Sequence, residues 1–261
     1  AAASLHSPNT IALYDFGLTD DGTLYYVMEL LDGLDLETLV ERYGPQPAAR
    51  VVHLLRQACR SLAEAHAAGL IHRDIKPANL FACRVGLEAD FMKVLDFGLV
   101  KSVRPAGPDE SLATQPGEAA GTPAYMAPEI ATGERELDHR ADLYSLGCVA
   151  YWLLTGRTVF LADTPVKMML EHIRSTPEPP SGHTELPVPS DLERVVLACL
   201  AKRRDDRPAD AAELARLLDA CELGDEWTEQ RARAWWDTHV PESAVPRRSE
   251  PWEASQVLAV R

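Results

Sequence analysis

Apolar positions change their period along this chain, and the changes mark out its elements. Residues 11–17 and 24–31 are rich in aromatic and β-branched side chains, and they flank Thr19-Asp20-Asp21-Gly22-Thr23. An Asp-Gly step between two such runs predicts a β-hairpin over residues 11–31. From about Gln46 to Gly69 the spacing becomes helical: Val51, Leu54, Leu55, Ala58, Leu62 and Ala65 share one face, and Gly69 supplies a stop. A polar loop follows at 72–79. Then come an apolar run Leu80–Cys83, a turn at Gly86 and a second strand Phe91–Leu95.

The stretch from Asp96 to Met126 is rich in Gly, Pro, Ser and Thr and has little periodicity. A loop of that length in a compact domain is expected to be functional or mobile. Beyond it the pattern is helical. Residues 139–155 carry Ala141, Leu143, Leu146, Val149, Ala150 and Leu153 and end at Gly156. Further helices are expected at 163–174, 190–201 and 210–221, separated by Pro-rich connectors. Residues 225–239 predict one more short helix with Trp227 and Trp235 on one face; the tail from Pro241 to Arg261 has the composition of a disordered linker.

Composition narrows the function classes. With 40 acidic against 26 basic side chains the formal net charge is −14, a field that repels phosphate backbones and argues against nucleic-acid binding. No apolar run is long enough to span a bilayer. The cysteines Cys59, Cys83, Cys148, Cys199 and Cys221 are odd in number, widely spaced and without a CxxC pair. They read as buried free thiols in a reducing, cytoplasmic compartment.

The chemistry is concentrated in three short segments. Residues 72–79 read His-Arg-Asp-Ile-Lys-Pro-Ala-Asn, residues 96–98 read Asp-Phe-Gly, and residues 127–129 read Ala-Pro-Glu. Each is weak alone. Together, and in this order, they resemble the protein kinase family, and most closely its bacterial serine/threonine kinases of eukaryotic type. The resemblance runs from about Ala1 to Leu218. It implies an α+β, protein kinase-like fold with a partial N-lobe at residues 1–31, a mainly helical C-lobe at 32–222, and a short helix and tail at 223–261.

The resemblance also implies roles. Asp74 would orient or accept the proton of an acceptor hydroxyl, and Lys76 would offset charge on the γ-phosphoryl group of ATP. Asn79 and Asp96 supply hard oxygen atoms suited to Mg²⁺, which takes few protein ligands beside nucleotide phosphates. Met28 would be the gatekeeper, the Glu29 carbonyl and Leu31 amide would meet adenine, and Phe81 would lie under its ring. Asp35 reads either as a ribose contact or as the cap of a helix over Leu36–Arg42. Thr122 would bond Asp74 and Lys76 and help to shape the protein-substrate platform. Glu129 would pair with Arg207, and Asp142 would brace the catalytic loop. His72 and Phe97 read as packing residues. Arg73 would pair with a phosphorylated Ser111 or Thr114, with Ser102 less well placed; a Ser/Thr-rich loop without modification is the alternative.

One departure from the family concerns the N-lobe. There is no GxGxxG, and none of the five lysines (Lys76, Lys93, Lys101, Lys167, Lys202) lies where an N-lobe phosphate lysine belongs. The opening residues resemble the end of the family's helix C. The expectation is therefore an N-terminally truncated kinase catalytic domain. Its parent would phosphorylate Ser or Thr of proteins, itself included, while the isolated chain would bind Mg·ATP poorly. Two competing readings are a non-catalytic kinase-like scaffold, disfavoured by the intact Asp74/Lys76/Asn79/Asp96 set, and a small-metabolite kinase, disfavoured by the Thr122 to Glu129 platform.

Overall fold

The computed structural model describes residues 5–19, 23–97 and 122–241. The aromatic-rich runs form β1 (Leu13–Leu18) and β2 (Leu24–Met28), paired antiparallel with Phe16 opposite Tyr26. Among the described residues these two strands stand as a separate sheet. A second, three-stranded sheet has the order β3–β4–β5, from β3 (Asp32–Asp35), β4 (Leu80–Val85) and β5 (Glu88–Val94). The pattern gives no sign of β3, because Asp-Gly-Leu-Asp lacks β-branched residues. Its ladder with β4 is possible because Gly33 lets the strands approach. A Cβ there would lie 2.2 Å from the Ala82 carbonyl oxygen, a contact that only glycine avoids. The two sheets meet at the residues before β1: Thr10 bridges Val94, and Val94 N–H donates to the Asn9 carbonyl at 2.7 Å.

The helices are α1 (Leu36–Tyr43), α2 (Ala48–Ala67), α3 (Pro128–Ala131), α4 (Arg140–Thr155), α5 (Pro165–Arg174), α6 (Ser190–Cys199), α7 (Ala211–Asp219) and α8 (Glu229–His239). The expected helix from Gln46 begins at Ala48, because Pro47 occupies the cap position and has no N–H to continue the ladder backward. α4 is apolar on nearly every side and almost wholly buried, which makes it the centre of the helical lobe. α2 and α6 pack against it. Gly147 is the point of closest approach, since a Cβ there would meet the Cys199 Cβ at 2.6 Å. α7 lies on α2, and α8 lies on β5. The eight-residue spacing that put Trp227 and Trp235 on one helical face does not hold, since Trp227 precedes the first turn of α8. Instead both rings flank Arg50. No helix of the described residues is long and apolar enough to cross a membrane.

Candidate active site

The polar loop after α2 is held by the buried carboxylate of Asp142, in the first turn of α4. Its Oδ2 accepts from the His72 N–H and its Oδ1 from the Arg73 N–H, both at 2.8 Å. His66 Nε2 also lies 2.8 Å from Oδ2. One carboxylate thus satisfies two adjacent amides of a sharp turn. That turn places Arg73 at φ 65°, the left-handed region a bulky residue rarely adopts. His72 packs against Phe97 with ring centroids 4.7 Å apart, and its Nε2 lies 2.6 Å from the Leu95 carbonyl. Both are buried, as packing residues would be.

Around this turn three of the expected site residues converge. Lys76 Nζ is 2.9 Å from Asp74 Oδ2. Asn79 Nδ2 donates to the same oxygen at 3.1 Å and to the Asp74 carbonyl at 2.8 Å. Pro77 opens a short 3₁₀ turn, Pro77–Asn79, that brings Asn79 back onto Asp74. Leu95 N–H donates to the Asn79 carbonyl at 2.9 Å. With both its N–H and its carbonyl tied to the loop, Leu95 sets the following residue, Asp96, beside it. Asp96 also has positive φ (59°) and is exposed. Its negative charge reaches Tyr26 on β2, where burial first and Asp96 second hold the phenol above its ordinary range.

No group of three or more His, Cys, Asp or Glu suited to a metal occurs among the described residues. The fit to Mg²⁺ rests on other grounds. Asn79 donates through Nδ2 to Asp74, its Oδ1 has no partner among the described residues, and no cation among them pairs with Asp96. Two hard oxygen donors with room for phosphates and water match the way Mg²⁺ is held.

The other expected residues divide. Glu29 anchors the segment after β2: its N–H donates to Ala12 O at 3.0 Å, and its Oε1 accepts from Ala12 N–H at 2.7 Å and from Lys93 Nζ at 2.6 Å. The Glu29 carbonyl and Leu31 amide have no protein partner among the described residues. Met28 is partly exposed at the end of β2. Phe81, on β4, pairs across the ladder with Asp35 and Lys93. Asp35 is the N-cap of α1, with Oδ1 accepting from Thr38 N–H and Oδ2 from Thr38 Oγ1, both at 2.7 Å; both oxygens are therefore in use locally. Thr122 is exposed and makes no hydrogen bond to Asp74 or Lys76 among the described residues. Gly98, Ser102, Ser111 and Thr114 lie outside the described residues.

The foot of the platform is firmly built. Arg207 meets Glu129 in a fork, Nη1 to Oε1 at 2.7 Å and Nη2 to Oε2 at 2.8 Å, and both side chains are buried. Ser145 Oγ donates to the Tyr125 carbonyl at 2.7 Å. The pattern of the sequence missed a third support. Buried His172 of α5 has its Nδ1 2.9 Å from the Tyr144 hydroxyl, and Lys202 Nζ donates to the His172 carbonyl at 2.8 Å. Burial, then the Lys202 charge, push the His172 imidazole down to about 4. Burial also lowers Lys202 to about 8.

This order of strands and helices, with the carboxylate-lysine-amide group on the loop between α2 and β4, is that of the protein kinase fold. The sequence model of the family described as "Protein kinase domain" matches residues 1–217, and the chain belongs to that family. It is 36% identical over 258 residues to serine/threonine-protein kinase pkn3 of Myxococcus xanthus, covering 98% of this chain and 47% of that protein. It is 40% identical over 216 residues to serine/threonine-protein kinase PknB of Mycobacterium leprae, covering 82% and 33%. The chain thus spans half or less of the length of these curated relatives. Among solved structures it resembles Rad53 in complex with AMP-PNP, with TM-score 0.66 and 25% identity over 82% of this chain and 51% of that one. A variant of the Mycobacterium tuberculosis PknI kinase domain gives TM-score 0.63 and 25% identity, covering 86% and 75%.

Proposed function

We propose that the protein carrying this chain transfers the γ-phosphoryl group of ATP to Ser or Thr hydroxyls of proteins, itself included, in the bacterial cytoplasm. The observation that carries this reading is the convergence of Lys76 and Asn79 on one oxygen of Asp74, one peptide from Asp96 through Leu95. A carboxylate held on one oxygen keeps its other oxygen for an incoming hydroxyl. Asp74 takes the hydroxyl proton as the hydroxyl oxygen bonds to the γ-phosphorus, and the bond from that phosphorus to the bridging oxygen of ADP breaks. Lys76 offsets negative charge at the transferred group, and Asn79 holds Asp74 in place. Asn79 and Asp96 would hold Mg²⁺, which would supply positive charge against the charge developing on the nucleotide phosphates. Adenine would sit against Phe81 and Met28 with hydrogen bonds to the Glu29 carbonyl and Leu31 amide. Asp35 would reach the ribose only by sharing its cap oxygens, and Thr122 would act on the substrate side. The five unpaired cysteines support a reducing compartment.

The test is radiolabelled phosphoryl transfer by the intact protein to a Ser/Thr protein substrate. Asp74→Asn should lower the rate by about 10²- to 10⁴-fold while Mg·ATP binding persists. Asp96→Asn should remove Mg·ATP binding itself. Full transfer by Asp74→Asn would sink the catalytic reading and leave the scaffold one. Residues 1–261 hold no GxGxxG and no N-lobe phosphate lysine, so as an isolated polypeptide they should turn over far more slowly than the intact protein. Arg73 is exposed, and in this reading it pairs with a phosphorylated Ser111 or Thr114. The double Ser111→Ala, Thr114→Ala variant should lose activity; undiminished activity would exclude that role.

A further inference from the structure

α8 lies beyond residue 217, where the family match ends, yet it is built into the domain. Its anchor is Asp90 on β5, a fully buried carboxylate that accepts four hydrogen bonds. Two come from α2: Arg50 Nε to Oδ2 at 2.8 Å and Arg50 Nη2 to Oδ1 at 2.6 Å. Two come from the C-terminal segment: Trp227 Nε1 to Oδ2 at 2.7 Å and Trp236 Nε1 to Oδ1 at 2.6 Å. Asp90 adopts φ 56°, and its carbonyl accepts from Gln57 Nε2 at 2.9 Å. The Arg50 guanidinium lies 5.1 Å from the Trp227 ring and 3.7 Å from the Trp235 ring. A buried ion pair is tolerated only when its remaining hydrogen-bonding sites are filled and its cation is shielded. Here the two indole N–H groups do the first and the two rings the second. The Arg50–Asp90 pair is thus half of a site whose other half is residues 227–236.

The far end of α8 reaches the hinge side of the nucleotide site. The Val240 carbonyl accepts from Arg84 Nη2, and the Arg84 guanidinium lies 4.9 Å from the buried Trp236 ring. Arg84 stands opposite Asp32 in the β3–β4 ladder, with Nη1 3.7 Å from Asp32 Oδ2. Asp32 directly follows Leu31. Tyr43 Oη donates to the His239 carbonyl at 3.0 Å, and Arg233 Nε to the Leu87 carbonyl at 3.0 Å. So α8 grips α1, β4, β5 and the turn between those strands at once.

We propose that residues 227–240 are an intramolecular clasp belonging to the catalytic unit. Trp227, Trp236 and Arg84 are positioning residues that fix the Asp32 end of the hinge for ATP. The kinetic part rests on reading Glu29–Leu31 as the adenine contact; the structural part does not.

The experiment uses the intact protein with Trp236→Ala, Trp227→Phe and Arg84→Gln, read by residue-resolved amide hydrogen exchange and by steady-state kinetics. For Trp236→Ala, exchange in β3, β4 and β5 should accelerate about tenfold or more while α4 and α6 keep wild-type rates. The KM for ATP should rise about fivefold, with kcat changed less than about twofold. Trp227→Phe keeps the ring and loses one donor, so it should shift both readouts the same way by less. Arg84→Gln should raise KM with little change at Asp90. Should Trp236→Ala not fold, the other two variants carry the test. Wild-type exchange in the sheet, or acceleration spread evenly over the chain, overturns the clasp. Faster sheet exchange with unchanged KM overturns the positioning role. Intact ATP binding by Asp96→Asn would instead indict the nucleotide reading, while the exchange data still judge the clasp.

Discussion

At the scale of single residues, backbone strain marks both the candidate site and the seat of α8. Among the described residues three non-glycine ones have left-handed backbones, Arg73, Asp90 and Asp96. One sits in the catalytic loop, one is the candidate metal ligand, and the third is the carboxylate beneath α8. Arg73 is held by Asp142, and Asp90 by Arg50, Gln57 and two indoles, as strained positions must be. His172 gives a prediction of its own. Burial and Lys202 hold its folded-state pKa near 4, against an ordinary value of 6.5. Between those limits the unfolded chain binds the extra proton, so stability falls as pH drops from 6.5 toward 4 and levels off below it. The loss is on the order of 3 kcal/mol. His53, also lowered by burial, adds in the same direction. Urea midpoints measured at pH 7 and pH 4.5 should differ clearly for the wild type and much less for His172→Phe; equal pH dependence in both would assign the effect elsewhere.

At the scale of elements, β3 is the one that local pattern could not predict and that the site cannot lack. It carries the chain from the hinge into α1, and its fit depends on the absence of a side chain at position 33. Gly33→Ala would drive a methyl group into the Ala82 backbone, which has no freedom to yield within the ladder. Such overpacking should cost about 2 kcal/mol, visible as a lowered urea midpoint with helix content unchanged. Immediately after it, Asp35 caps α1 with both oxygens. Asp35→Ala should cost about 1 kcal/mol. If Asp35 also serves the ribose, the KM for ATP should rise beyond what Asp35→Ser, a competent cap, produces. Identical KM values for the two variants would leave Asp35 as a cap alone.

At the scale of the whole molecule, two buried ion pairs tie distant segments into one body. Arg207–Glu129 joins the platform to the loop before α7, and Arg50–Asp90 joins α2 to β5 and α8. Removing one partner strands the other charge in the interior. Glu129→Ala should therefore cost about 3–5 kcal/mol. The double variant Glu129→Leu, Arg207→Leu should recover much of that loss, because no lone charge remains. Urea titration of the three proteins checks this; a double variant no more stable than Glu129→Ala would mean that the other Arg207 bonds, to the carbonyls of Ala201, Arg140 and Lys202, dominate.

The amino-acid sequence by itself determined the hairpin strands, the long helix α2, the apolar core helix α4 and, through its motifs, the family. These depend on local period, on turn chemistry at Asp-Gly steps, and on motifs whose members lie within eight residues of each other. It also paired Glu129 with Arg207, through the resemblance rather than through any local rule. Only the tertiary structure decided the distant contacts that the resemblance did not supply. It brought Trp227 and Trp236 to Asp90, across 137 and 146 residues, and His172 to Tyr144 beneath the platform. It placed Asp35 on its own helix and left Thr122 unbonded to Asp74. The reason is physical: a buried hydrogen bond between distant residues is selected by how elements pack and desolvate together, and no window of neighbouring residues carries that information.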